Sequence, residues 1–275
     1  ALALESRMAA LNVVPHAAVA ARLLLDGEPP VEGSLGGGLI AAPLPLAGRS
    51  GLPVHLLGHF ALSGAERDVP ISAPESGHAA EAMRAEWNAE LVKSCAAAAY
   101  AALLTALPKT FGLPHDQTVS LPMYRYWPRA SEMSDDALAA ALLPPLYTHL
   151  AEKELFLVVP RALDDEKPQR RGLRRLDDGL VCPPSIDGRL GDFVRQHFSA
   201  FDMPPPVAEQ LLASAPRGMR SLSAAEVRGY VKRKLGDAKK RDKRLASRAW
   251  APLHSANFAL DLLAYCASDL HGGAA

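Results

Sequence analysis

Polar and apolar positions alternate between Gly51 and Ser63, in the stretch GLPVHLLGHFALS. Val54, Leu56 and Gly58 interleave with His55, Leu57 and His59, and this two-residue period predicts a strand over 54–62. Turn-prone residues, Gly51-Leu52-Pro53 and Ser63-Gly64, bound it. Upstream, the apolar run 17–25, broken by Arg22, reads as a strand or a short helix. Leu39-Ile40-Ala41-Ala42, behind Gly36-Gly37-Gly38, reads as a short buried strand. The short connection Gly48-Arg49-Ser50-Gly51 leads from that segment into 54–62, which favours an antiparallel hairpin between the two.

Helical spacing takes over at 76–107. Met83, Trp87, Leu91, Cys95 and Ala98 recur at three- and four-residue intervals, giving one apolar face. Ser76 or Gly77 can cap this helix, and Pro108 is expected to stop it. On this phase Trp87 is a core anchor and Asn88 points toward the helix edge. Ser134 is expected to cap a second helix over 135–150 that Pro144-Pro145 should kink or split. Short strands are expected at 155–159 and 180–182, around a charged loop at 164–178. Helices follow at 188–198 and 204–213. Another begins at Ser223, with Glu226 at capping-box spacing, and runs to Val231; a last one covers 256–270. The fold class is therefore α+β: a small, mostly antiparallel sheet packed on a long helix, then a mainly helical half. The expected division is 1–130 and 131–275.

The 275 residues are 49% hydrophobic, enough for one large core or two smaller ones. Thirty basic residues balance thirty acidic ones, so no global charge draws the chain to nucleic acid or anionic membrane. Lys232 to Arg244, KRKLGDAKKRDKR, is locally basic. Asp237 and Asp242 dilute it and no aromatic is interleaved for base stacking, which favours a solvated helix face. Cys95, Cys182 and Cys266 are odd in number and far apart, and read as reduced, buried thiols of a cytoplasmic protein. No run reaches the ~18–20 apolar residues of a membrane helix, and no signal peptide precedes the first strand. The missing initiator Met suggests a piece of a longer protein.

The alternating strand also carries a wording. Ala42-Pro43-Leu44-Pro45-Leu46 precedes it and Glu66-Arg67-Asp68 follows. Together they resemble the sacsin family, whose members carry a proline-punctuated PLP strand, a "TGLPVHVNGFFAL" strand and an Arg-Arg or Arg-Asp pair. In this chain Gly51, Leu52, Pro53, Gly58 and Phe60 stand at signature positions. Trp87-Asn88, with Leu91 and Tyr100-Ala101-Ala102-Leu103-Leu104, is similar to the family's "WN…L…AYA.LL" helix. Tyr126-Trp127-Pro128 resembles its "lWP" turn, and Leu262 to Leu270, LLAYCASDL, its "LLEYCLSDL" ending. The matches fall in family order over 36–270.

The resemblance implies a repeat-built, chaperone-like protein in which a GHKL-type ATP-binding module precedes a segment like this one. It implies no cofactor in this chain itself, with ATP and Mg in the adjacent module. The implied partners are that module, client proteins or other heat-shock chaperones; neither membrane nor nucleic acid is among them. In related chaperones a basic residue from the following segment reaches the terminal phosphate, which makes Arg67 the first candidate for phosphate or interface contact and Arg49 the second. By itself the sequence offers no catalytic residue. Gly36-Gly37-Gly38 lacks the P-loop form, no G-x-S-x-G elbow marks a nucleophile, and His55 and His59 lie ~13 Å apart along a strand, too far to share a metal. The expectation is a non-catalytic module. An autonomous hydrolase with an unrecognised site and a pure scaffold repeat are the alternatives.

Overall fold

A computed structural model of the chain describes residues 8–23, 37–63, 68–73, 78–111, 122–158, 172–186, 188–240 and 256–268. The architecture is α+β. Two compact units separate between Leu155 and Phe156, with Ala213–Arg217 grouped with the first. The boundary thus falls after the helix that the sequence division at 130 assigned to the second part.

In the first unit, β1 (Ala17–Ala20), β2 (Leu39–Ala42), β3 (Leu44–Arg49) and β4 (His55–Gly58) form one sheet in the order β1-β4-β2-β3. β1 pairs antiparallel with β4, with Ala17 opposite Gly58 and Ala20 opposite His55. β2 pairs antiparallel with β3 but parallel with β4. Two of the three pairings are antiparallel, as expected, but the hairpin lies elsewhere. The chain reverses at Pro43, so that Ala42 faces Leu44, and Gly48-Arg49 belongs to β3 rather than to a loop. β3 then carries the chain back to where β2 began, and β4 starts out parallel to β2.

Gly38 and Gly51 make this crossing feasible. A Cβ on Gly38 would sit 1.6 Å from the Val54 carbonyl oxygen. Gly51 has φ +74°, and a Cβ there would meet the Glu132 carbonyl oxygen at 2.0 Å. Ser50, buried between them, donates from its hydroxyl to Gly38 O and accepts from Leu52 N, at 3.0 and 3.2 Å.

The long helix runs without a break over Ala79–Phe111. It comprises α1 (Ala79–Leu91), a π-helical turn (Val92–Ala96) and α2 (Ala97–Phe111). His78 occupies the N-cap without a side-chain bond; Ser76 and Gly77 lie outside the described residues. Pro108 does not stop the helix, which continues to Phe111. The π turn inserts one extra residue and rotates everything beyond it. The buried face therefore passes from Trp87 and Leu91 to Val92, Ala96, Tyr100 and Leu104, while Ala98 faces solvent.

α3 (Asp136–Ala151) packs on α2, and β1 lies against the π turn and α2. Asp135, not Ser134, caps α3: its carboxylate accepts from Ala137 N at 2.7 Å and Leu138 N at 3.2 Å. Ser134 instead donates to Arg49 O. α3 runs through both prolines as one helix. The carbonyls they deprive belong to Ala140 and Ala141, on the less buried side of the helix, where water can replace the lost bonds.

The second unit holds a two-stranded sheet of β5 (Phe156–Val158) and β6 (Gly172–Arg174). The loop expected at 164–178 thus contributes a strand, because Leu173 pairs with Leu157. Leu180 and Val181 form isolated bridges to Ala200 and Ser221. Helices α4 (Gly188–His197), α5 (Pro205–Ser214), α6 (Ala224–Lys240) and α7 (Ala256–Ala267) follow. Phe193, Val194, Val227, Phe258 and Leu262 pack into one buried cluster. The capping box is present: Ser223 N donates to Glu226 Oε2 at 2.9 Å and Glu226 N to Ser223 Oγ at 3.2 Å. α6 continues past Val231 into the basic run as far as Lys240; residues 241–244 lie outside the described set.

A methyl group at Gly38 would collide with backbone that cannot retreat. Gly38→Ala is expected to lower stability by about 3 kcal/mol or more in denaturant unfolding. Gly48→Ala, with nothing within 4 Å of its Cβ position, should stay within about 0.5 kcal/mol of wild type.

Candidate functional site

The alternating strand stops being a strand at Gly58, although its pattern continues to Leu62. From His59 onward its backbone is bonded by side chains of α1. Trp87 Nε1 donates to His59 O at 2.9 Å. Asn88 Oδ1 accepts from Ala61 N at 2.8 Å, and its Nδ2 donates to Ala61 O at 2.9 Å. A carboxamide offers the same donor and acceptor as a peptide group, so Asn88 pairs with Ala61 as a neighbouring strand would.

The same Nδ2 also donates to Pro70 O at 2.8 Å. Asn88 therefore grips the chain on both sides of 62–69. Within that stretch Ser63 N donates to Asp68 O at 2.9 Å, Asp68 N to Ser63 Oγ at 3.3 Å, and Val69 N to Asp68 Oδ1 at 2.9 Å. Ser63 and Asp68 are thus tied to each other, and their tie is pinned to the long helix. Arg67, between them, lies outside the described residues. Asn88 is fully buried, at 0% exposure, and not at the helix edge. Trp87 is buried as expected, against Met8 and Ala61, with Met83, Leu11 and Val13 at the margin.

The other signature residues lie in and beside β4 and are mostly buried. Leu52, Val54, Leu56 and Phe60 are buried and Pro53 is half-buried. Gly58 is tight: a Cβ there would lie 3.1 Å from the Phe60 ring and 3.3 Å from His16 O. Arg49 is exposed at the end of β3, and its Nη1 donates to Gly37 O at 3.2 Å, which gives it a part in the turn before β2. Sequence reasoning marked Trp87 and Asn88 by resemblance but missed what Asn88 does. A buried Asn in an apolar helix beside a Trp is the signal that was there to read.

Tyr126-Trp127-Pro128 is held by a second set of side-chain bonds. Tyr100 donates to Tyr126 O at 2.6 Å, Tyr147 to Pro128 O at 3.0 Å, and Tyr126 to Arg22 O at 2.7 Å. Trp127 lies between Tyr124 and Tyr147, with ring centroids 5.5 and 5.8 Å away. Burial pushes the phenols of Tyr100 and Tyr147 well above their ordinary value, so both are neutral donors under all ordinary conditions.

In the second unit, Tyr265 of the LLAYCASDL ending donates to Leu222 O at 2.9 Å, and Arg228 donates to Cys266 O. That motif fastens α7 to α6. Tyr230 Oη and His197 Nδ1 stand 2.8 Å apart among Phe193, Phe198 and Phe258. The three cysteines are thiols outside any disulfide, half-buried rather than buried. Burial, the largest cause, pushes the Cys182 thiol up to about 11, with Arg195 pulling it down and Asp202 up.

Among the described residues no group of three or more His, Cys, Asp or Glu side chains can hold a metal ion. Compared with protein-family models, curated proteins and solved structures, the chain matches none. The geometry at Asn88 is a mechanical coupling between a helix and both ends of a polar turn.

Asn88→Ala would strand the two buried backbone groups of Ala61, each worth about 1–3 kcal/mol, and the part-buried Pro70 carbonyl. Thermal or denaturant unfolding is expected to show a loss of about 3 kcal/mol or more, similar to the ~3–5 kcal/mol of Trp87→Ala. Asn88→Asp keeps the acceptor for Ala61 N but turns a carboxylate on two carbonyl oxygens. Its folded-state pKa is then raised, so the stability tied to the protonated acid is present at low pH and lost as pH rises through that value. The melting-temperature gap to wild type should narrow between pH 7 and pH ~4; a constant gap would contradict the assigned bonds.

Cys182 gives an alkaline counterpart. Its folded-state pKa exceeds the ordinary thiol value of 9.0, so its contribution is intact below 9.0 and is lost as pH climbs toward about 11. Alkylation at pH 8 should spare Cys182 in the folded chain and reach it on unfolding, as mass mapping of the modified peptides would show.

Proposed function

We propose that the chain is a non-catalytic module of a sacsin-like, chaperone-type protein that relays the state of an adjacent GHKL-type ATP-binding module. The observation that carries this reading is the grip of Asn88 on Ala61 and Pro70, which flank in sequence the segment that includes Arg67. On this reading a contact made by Arg67 is passed through Ser63 and Asp68 to Ala61 and Pro70, which Asn88 bonds to the long helix. That is the mechanical requirement for a relay. The burial of Leu52, Phe60, Trp87 and Asn88 adds support, because these are positions on which the family resemblance rests. An arginine is suited to the task, since its guanidinium is permanently charged and forks onto phosphate or carboxylate. Arg67 is the residue assigned to the adjacent module, and Arg49, already engaged with Gly37 O, is second.

Two measurements test this. Calorimetry on the isolated chain is expected to show no ATP binding; micromolar binding would overturn the non-catalytic reading. In the longer polypeptide that the reading requires, Arg67→Ala should lower nucleotide turnover by about tenfold or more while the isolated variant keeps the wild-type unfolding midpoint. Undiminished turnover together with undiminished docking would leave a scaffold repeat as the better description. Collapse of the isolated variant would make Arg67 an internal structural partner.

A further inference from the structure

We propose that His16 and His59 form a surface chelate for a borderline divalent transition ion, Zn2+, Ni2+ or Cu2+. His16 directly precedes β1 and His59 directly follows β4. The β1–β4 register, Ala17 opposite Gly58, extends by one step to set the two histidines face to face, and His59 N donates to His16 O at 3.2 Å. Their ring centroids are 6.0 Å apart with the planes at 85°. Directly opposed residues of an antiparallel pair hold their Cβ atoms ~4.5–5.5 Å apart, and a metal–imidazole nitrogen bond is ~2.0–2.1 Å. An ion between the rings reaches a nitrogen of each after ring rotation alone.

Both histidines are exposed, and neither ring is hydrogen-bonded to another described residue. Their backbones, by contrast, are held to the same helix. His59 O accepts from Trp87 Nε1 at 2.9 Å, and Pro15 O, just before His16, accepts from Cys95 Sγ at 3.6 Å. Backbone immobility with free rings is the condition for a preorganised two-point chelate. His55 does not take part, since its Nδ1 accepts from Leu39 N at 3.0 Å and it stands at the far end of the β1–β4 pair.

Among the described residues no third His, Cys, Asp or Glu completes the set. Water or an incoming ligand fills the remaining positions. Two imidazoles and water suit Zn2+, Ni2+ and Cu2+; Mg2+ and Ca2+ demand oxygen ligands. The bound ion would tie the start of β1 to the segment gripped by Trp87. Because the pair is assembled only by folding, metal raises stability by mass action.

The test is equilibrium dialysis and thermal unfolding of the full chain with each of the three ions, and with Mg2+ as control. Wild type is expected to bind one ion per chain at this pair, Cu2+ most tightly, with a melting temperature that rises with metal concentration. Acidification should weaken binding because protons compete for the ligating nitrogens. Partners outside the coordination shell already carry about 10–100-fold in affinity; His16→Gln and His59→Gln should each lose at least that order while melting as wild type does without metal. His55→Gln should bind as wild type does. Absence of binding to wild type, binding untouched by both His16→Gln and His59→Gln, or binding abolished by His55→Gln would each overturn the proposal.

Discussion

The first unit depends on one side-chain amide. Asn88 supplies both bonds that a neighbouring strand would have made to Ala61, and a third to Pro70. A buried peptide group without partners is strongly disfavoured, so the chain beyond Gly58 can leave the sheet only where such a substitute exists. Trp87 performs the same service for the preceding carbonyl of His59. The two adjacent residues convert the end of a strand into a turn joined to a helix, and the rest of the junction is arranged around them.

That arrangement requires Trp87 and Asn88 to reach the sheet segment while α2, further along, packs against α3 and β1. A uniform α-helix would carry its apolar stripe past Ala98. The π turn at Val92–Ala96 shifts the stripe by about one residue, so that Tyr100 and Leu104 are buried in its place. Tyr100 then reaches Tyr126 O, and Tyr147 of α3 reaches Pro128 O. Carbonyls on either side of Trp127 are thereby fixed by phenols from two different helices.

For the proposed relay, the relevant feature is that Ala61 and Pro70 are both bonded to the long helix through Asn88. Loops usually move more independently than the elements they join, and a sensor that moved alone would transmit nothing. Here Ser63 and Asp68 stand two residues from Ala61 and Pro70, the residues that Asn88 holds. The proposed coupling rests on these hydrogen bonds and on the short chain segments between them.

Much of this fold was legible along the chain. Alternation located β4, three- and four-residue spacing located the long helix, a cap expected at Ser134 placed the start of α3 to within a residue, and Ser223 with Glu226 marked the start of α6; each is a local pattern with a local cause. Trp87 could be placed in the core because a large apolar ring has few other places to go. The adjacent Asn88 was misplaced at the helix edge because its three partners lie 18 to 27 residues away, and polar side chains are satisfied by whatever tertiary structure brings near. The parallel pairing of β2 with β4, the strand at Gly172–Arg174, the passage of the helices through Pro108 and Pro144-Pro145, and the exposure of Ala98 share that origin. The sequence by itself determined β4, the helices and the burial of Trp87. Only the tertiary structure decided strand partners, helix phase beyond the π turn and the bonding of Asn88, because those depend on long-range hydrogen-bond satisfaction that no local pattern encodes.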